Sequence, residues 1–329
     1  MRQFNAPVVF NQAVSQGWKL LAFSWPEDLA SPFPGQFFTF NPQGLQAGDA
    51  GLLRRPLAFA FFGRGLAFAL YQIRGKATQA LAAFAEGGSL DVIGPLGNSF
   101  PRPFSGEQAF LVGGGIGIGP LLYLQSTFFG AAASSTVTDG AAGLGADQGL
   151  ETIAGRGAQP PSPLATKLFL GFRSAGQVPS FSLAAERWKA QKHCAEGAGR
   201  PHKPDSQPLL AGLADLQRCL NQALIATDDG SGGFKGTVVD ALLYDADPAA
   251  PFATNTRARL YACGPAPMLS ALDALALETG ISAHLSAEQW MACGVGACQG
   301  CVLPARAGGY LRACADGPIF PQGAILWKA

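Results

Sequence analysis

Four of the seven cysteines in this 329-residue chain fall between residues 293 and 314. Cys293, Cys298 and Cys301 lie in MACGVGACQGC, and Cys314 follows in LRACADGP. The spacing C-x4-C-x2-C-x12-C is that of the thiolates around a plant-type [2Fe–2S] cluster, with three ligands on one loop and a fourth further along. Even scatter would place about half a cysteine in such a window. Gly294, Gly296 and Gly300 stand between the ligands, where a missing Cβ lets the backbone curl round an inorganic core and aim N–H groups at its sulfurs. Zinc is the competing reading, although structural zinc sites usually take two separated C-x2-C knuckles. A disulfide framework fits less well, because MRQFNAPVVFNQAVSQGWKLLAF lacks the pattern of a secretion signal and the expected compartment is the reducing cytoplasm. Electron transfer is therefore the first chemistry to consider.

Two other places could do chemistry. Gly113, Gly114, Gly115 and Gly117 form a turn after the apolar run AFLV. Glycines there let the backbone approach a pyrophosphate, and the helix that follows directs its N–H groups at the anion; the same glycines also serve plain steric needs. Cys263 precedes Gly264 and Pro265 at the end of an expected strand, where open α/β sheets place ligands, and a small buried cysteine would look the same. Cys194 and Cys219 read as bystanders. His193, His202 and His284 form no ligand spacing, and no Ser/His/Asp or paired-carboxylate arrangement is present.

The elements that must position these residues divide into three parts. In residues 1–104, short aromatic and β-branched runs (PVVF, WKLLAFSW, QFFTF, LAFAFF, LAFALYQI, LDVI) recur between Gly, Pro and Asn, as in an antiparallel β-barrel or sandwich with little helix. Residues 105–279 alternate strands (AFLV, KLFLGF, ARLYACG) with helices, one opening near Ile118 and another in PMLSALDALALETG, which implies a parallel α/β domain. Residues 280–329 hold the cysteines. Two Pro/Gly-rich polar stretches, 131–163 and 195–208, are expected to be mobile surface insertions. With 48% hydrophobic residues, 14% charged and a net charge of +1, the chain can bury large cores, has no basic stripe for nucleic acid, and has no apolar run long enough for a membrane span.

LLRRPLAFA, LYQIRGKATQAL, IGPLGNSF, LVGGGIGIGPLLYL, LGFRSAG, YACGPAPML and AEQWMACGVGACQGC resemble successive motifs of the electron-transfer subunit of type B dihydroorotate dehydrogenase. The resemblance implies a ferredoxin-reductase-like architecture: a β-barrel for FAD, an α/β domain for NAD and a C-terminal [2Fe–2S] domain. The flavin motif Arg-Pro-x-Ser falls on Arg55, Pro56, Leu57 and Ala58, so the Arg55 guanidinium would hold the FAD phosphates. A second flavin segment falls on Leu70, Tyr71 and Gln72, where Arg is frequent in the third place. A Gly-Thr element becomes Ala77 and Thr78, and the turn Gly94 to Gly97 would lie near the cofactor. Ala58, Gln72 and Ala77 depart from the motifs. Without the resemblance, Leu57, Phe59, Phe61 and Tyr71 read as alternating strand-core residues, and the Gly94 turn as purely structural.

The resemblance further implies a partner, the FMN-containing catalytic subunit, in a hetero-oligomer expected to be a heterotetramer. Dihydroorotate would be oxidised there for pyrimidine biosynthesis, and electrons would reach NAD through the cluster and FAD, with Cys263 facing the nicotinamide. The resemblance favours NAD, while Arg173 could instead meet an NADP phosphate; Asp228 and Asp229 shape a turn or line that pocket. Other flavin/iron–sulfur reductase subunits are the alternatives, either of a hydrogenase or of a ferredoxin:NADP oxidoreductase; the small subunit of the latter carries Asp where this chain has Cys293. A non-catalytic redox sensor is the alternative of another class.

Overall fold

The computed structural model describes residues 1–42, 53–104, 106–133, 165–196, 206–245 and 257–327. The first unit is built from β1 (Arg2–Ser15), β2 (Trp18–Ser24), β3 (Phe37–Phe40), β4 (Arg55–Ala58), β5 (Phe61–Gly63), β6 (Leu66–Gln72), the helix α1 (Lys76–Ala83) and β7 (Ser89–Leu96). All its strand pairs are antiparallel, in the order β4-β3-β7-β1-β2-β6-β5. The two ends of that order meet because the chain passes from β4 to β5 through Phe59 and Ala60. Phe59 N–H bonds Gln36 O at 3.2 Å and Ala60 N–H bonds Phe68 O at 2.7 Å, which closes the sheet into the expected barrel.

Its interior is aromatic. Phe23, Phe38, Phe40 and Phe59 are fully buried there, Phe10 and Phe68 are fully buried on its outer side against Trp188 and Gly212, and each such burial contributes about 1.5–3 kcal/mol. Edge-to-face pairs such as Phe23–Phe38, with centroids 4.9 Å apart, fix the packing. The helix α1 was not expected from the weak helical periodicity; it is short, and its buried Ala77, Ala80 and Leu81 form one i, i+3, i+4 stripe.

The second unit contains β8 (Gln108–Gly114), α2 (Ile118–Ala133), β9 (Thr166–Phe172), α3 (Phe181–Glu196), α4 (Gln207–Asn221), β10 (Ala223–Thr227), β11 (Phe234–Lys235), α5 (Val238–Asp245), β12 (Ala258–Cys263), α6 (Ala266–Thr279) and β13 (Ser282–Ser286). The C-terminal stretch adds β14 (Val302–Pro304), β15 (Tyr310–Arg312) and β16 (Ile319–Pro321), of which β14 and β15 form a separate hairpin. The large sheet runs β11-β10-β9-β8-β12-β13-β16, parallel throughout except that β16 lies antiparallel to β13. Strand order reverses between β8 and β12, and open α/β sheets bind ligands outside such a point. Because β13 and β16 complete this sheet, the cysteine-bearing stretch 280–327 shares an edge with it.

Helices couple this sheet to the barrel. Tyr123 Oη on α2 donates to Pro32 O at 2.6 Å, and Trp188 Nε1 on α3 donates to Glu86 Oε2 at 3.1 Å. The expected insertions change at their edges. Residues 131–133 close α2, 195–196 close α3 and 207–208 open α4, while 134–163 and 197–205 lie outside the described residues. Among the described residues, no helix is long and apolar enough to cross a membrane.

Candidate functional site

The cysteine loop takes its shape from left-handed residues. Gly294, Gly296 and Gln299 have φ of 72°, 82° and 54°. A Cβ on Gly294 would come within 2.9 Å of Thr39 Cγ2 on the barrel, and one on Gly296 within 2.8 Å of Ala315 Cβ, so this loop excludes side chains at both places. Backbone N–H groups then point at sulfur. Gly296 donates to Cys314 Sγ at 3.1 Å, Cys298 and Val295 to Cys293 Sγ at 3.4 and 3.5 Å, and Gly300 to Cys298 Sγ at 3.4 Å.

The thiols form an inner and an outer pair. Cys301 and Cys314 are buried with sulfurs 3.2 Å apart, close enough to ligate one metal atom; Cys293 is half-buried, bonded through its neighbour Cys298, which is exposed. Burial pushes the Cys293 thiol up, but the N–H groups of Cys298 and Val295 outweigh it and bring its pKa to about 6. Burial, then the adjacent Cys301, pushes Cys314 up to about 12, the condition of a sulfur that ionises on ligating a cation. Among the described residues, no three His, Cys, Asp or Glu side chains converge on one point. Two sulfur pairs under N–H donors fit a dinuclear iron–sulfur cluster better than one tetrahedral zinc.

Next to the loop lies a cavity of about 960 Å³, at the upper end of the size range of ligand pockets. One wall is Arg55, Pro56 and Leu57 on β4 with Gln72 on β6; another is the turn Arg74 to Thr78 that opens α1; a third is Glu288 to Met291, directly before Cys293. Arg54 and Arg55 part company here. Arg54 bonds Asp91 and Thr39 inside the barrel sheet, with Arg54 Nη1 2.8 Å from Asp91 Oδ2, whereas Arg55 is left at the cavity. Thr78 Oγ1 accepts the N–H groups of Arg74 and Gly75 at 3.0 and 3.1 Å, fixing the α1 N-terminus, whose first-turn N–H groups and positive dipole end favour phosphate.

Not every expected flavin residue faces this space with its side chain. Tyr71 is 1% exposed, its phenol donates to Asn11 Oδ1 at 2.7 Å, and burial raises its pKa, so only its main chain is left for a ligand. Strand alternation thus won over the motif. Gly94 pairs with Arg2 and packs on Phe38 and Trp25, outside the walls of both cavities; its turn instead meets the cluster segment, since a Cβ on Gly97 would lie 2.6 Å from Pro318. Leu70 and Ala58 line a smaller cavity of about 120 Å³, together with Pro56, Leu57, Gly117 and Cys263. Ala77 and Thr78 border the large one.

The glycine turn and Cys263 meet where β8 and β12 pair, Gly113 opposite Cys263. A Cβ on Gly117 would sit on the Cys263 carbonyl, and one on Gly114 would lie 2.6 Å from Met268 Sδ, so these glycines let the end of β8 and the turn after it close against the end of β12 and the start of α6. Gly113 is similarly crowded by Leu170, whereas Gly115 has φ of 55° and open space at its Cβ position. Burial pushes the Cys263 thiol up to about 12, against the Ser286 side chain that lowers it, so it stands as a neutral thiol in the small cavity. Asp229 Oδ1 accepts the Ser231 N–H and hydroxyl at 2.9 and 2.6 Å, the turn-shaping role. Cys219 is buried in α4, a packing residue.

Sequence reasoning missed Arg74, Lys76, Trp290 and Met291 at the large cavity. Glycine and lysine opening an Ala-rich stretch in RGKATQAL were the available signal for a helix start; Trp290 had none beyond its nearness to Cys293.

A family model described as the iron–sulfur cluster binding domain of dihydroorotate dehydrogenase B matches residues 288–326. Among solved structures, an NADH-dependent reduced ferredoxin-NADP oxidoreductase is similar over 98% of this chain and 90% of its own, with a TM-score of 0.66 and 22% identity. The cytochrome b5 reductase domain of Ulva prolifera nitrate reductase is similar over 85% and 94%, with a TM-score of 0.52 and 16% identity. Both likenesses concern the fold, which is that of the ferredoxin reductases. The NAD(+)-linked dihydroorotate dehydrogenase B electron transfer subunit of Caldanaerobacter subterraneus subsp. tengcongensis is 28% identical over 99% of both chains. That of Geobacillus thermodenitrificans is 31% identical over 89% of this chain and 86% of its own. By that identity over nearly its whole length, the chain belongs to the family of dihydroorotate dehydrogenase B electron transfer subunits.

Proposed function

We propose that this protein carries electrons between an FMN-containing partner subunit that oxidises dihydroorotate and NAD, using a [2Fe–2S] cluster and FAD. One observation carries the reading: the segment that walls the large cavity, Glu288 to Met291, runs straight into the first cluster ligand, Cys293. A cofactor in that cavity and a cluster on that loop would therefore be neighbours. FAD supplies the exchange between a two-electron hydride carrier and a one-electron centre.

The chain's own residues bind and orient. Arg55 and the α1 N-terminus would hold the diphosphate, with Pro56, Leu57, Ala58 and Leu70 packing the flavin against the small cavity. Cys263 stands there as an uncharged thiol, so a nicotinamide can approach without meeting a fixed anion. Gly115 and the start of α2 would receive the NAD phosphates. Cys293, Cys298, Cys301 and Cys314 would hold the iron atoms, with the N–H groups around their sulfurs stabilising added negative charge on reduction. Cys298, exposed at the outer edge, marks the side that would face the partner. The unit division 1–104, 105–279 and 280–329 then corresponds to flavin, nicotinamide and cluster functions, and four reduced thiols suit the cytoplasm.

Anaerobic titration of the full-length protein with NADH tests this reading. Flavin and cluster absorption are both expected to bleach; cluster bleaching in protein without bound FAD, or no bleaching of either, would contradict it.

A further inference from the structure

Trp290 is 82% exposed, yet it lines the large cavity. Trp327 stands on the wall with it, its Nε1–H bonded to Asp273 Oδ2 at 3.1 Å. The cavity lining therefore combines two chemistries: Arg55, Arg74 and the α1 N-terminus are cationic, and the two indoles are flat and apolar. Neither tryptophan borders the small cavity, whereas Pro56, Leu57 and Ile116 border both and so connect them. Cationic groups and flat apolar surfaces in one cavity, joined to a second apolar one, match a dinucleotide, whose diphosphate links two planar ring systems.

One planar group, the isoalloxazine, belongs in the small cavity beside Leu57, Ala58 and Cys263. The remaining planar group is the adenine, and the remaining compartment is the one with the exposed indole. We propose that Trp290 stacks on the adenine of FAD, so that the cluster segment holds the outer half of the cofactor and selects FAD over FMN. This inference rests on the flavin reading above. Stacking needs only a π-face on each side, and Trp290 N–H, bonded to Gln289 Oε1 at 2.9 Å, helps set the local backbone from which the indole projects. It also gives the cluster loop a second duty, since the residue three positions before Cys293 would bind the flavin nucleotide.

The test is fluorescence titration of the full-length, cluster-loaded protein, stripped of flavin, with FAD and separately with FMN. Trp290→Ala is expected to weaken FAD on the order of tenfold, the range seen when an aromatic platform under a base is removed, and to leave cluster absorption unchanged. FMN, which has no adenine, should bind wild type and variant within about twofold of each other. Trp290→Phe should recover most of the FAD affinity. An unchanged FAD affinity in the alanine variant, or equal losses for FAD and FMN, would overturn the stacking assignment while leaving the flavin reading intact. Wild-type protein that takes up neither flavin would overturn both.

Discussion

Arg54 and Arg55 are adjacent, and alternation on the β4 edge sends their guanidiniums to different work. Arg54 is spent on Asp91 and Thr39, and its hydrogen bonds hold the Asp91 carboxyl below the usual carboxylate range. Arg54→Ala is expected to cost about 1–3 kcal/mol of stability, measured by denaturant melts, without loss of FAD affinity in the surviving fold. Arg55→Ala should do the reverse, keeping the melting curve and weakening FAD by roughly tenfold or more. His284 provides a pH signature. Burial, and then Arg259, lowers its pKa from 6.5 to about 4, while Glu107 opposes them; the ring is stacked on Tyr261 at 5.9 Å. The unfolded chain takes up a proton between those values that the folded chain refuses. Its contribution to stability is therefore full above pH 6.5 and falls as pH drops toward about 4. His284→Phe, which keeps a ring over Tyr261, should flatten the melting temperature across that window. The same scale shows what residue types alone conveyed: cysteine spacing picked out four thiols that the fold gathers in one segment, but the duties of Tyr71 and Arg54 depend on which way a strand faces and on Asn11 and Asp91, dozens of residues away.

Between elements, Asn98 just after β7 does much to join the barrel to the cluster segment. Its side chain donates to Ile319 O at 2.8 Å and accepts Ile319 N–H at 2.9 Å, and its own N–H donates to Gly317 O at 2.8 Å. Asn98→Ala removes two buried-edge hydrogen bonds, with an expected cost of about 1–3 kcal/mol. Because Pro318 and β16 lie just after Cys314, the variant should also lose iron to a chelator faster than wild type, measured by the decay of cluster absorption. The barrel strands were legible because aromatic and β-branched runs leave little choice of structure, and β8, β9, β12 and α6 were legible through their apolar periodicity. The helix α1 was hidden by its eight-residue length, and β13 and β16 by short, partly polar sequences that become strands only by pairing with each other and with β12. The link from β7 to the cluster is a long-range contact, which no local pattern encodes. The Gly94 turn consequently carries a joint where the motif suggested a cofactor contact.

Across the whole molecule, the regions proposed for the three redox functions share walls. The β8–β12 junction brings Cys263 to the small cavity, the large cavity adjoins it through Leu57 and Ile116, and the wall of the large cavity continues into the cysteine loop. With the proposed placement of the cofactors, such continuity is consistent with an electron path in the order nicotinamide, flavin, cluster, partner. No step in it requires a dihydroorotate site on this chain. The most direct measurement is dihydroorotate-dependent NAD reduction by the complex with an FMN-containing barrel subunit, comparing wild type with Cys298→Ser. Wild type should support NAD reduction. The serine variant should abolish it and lose the cluster absorption, while retaining bound FAD and NADH oxidation by an artificial acceptor. Undiminished dihydroorotate-dependent NAD reduction in the serine variant, or none by the wild-type complex, would contradict the account.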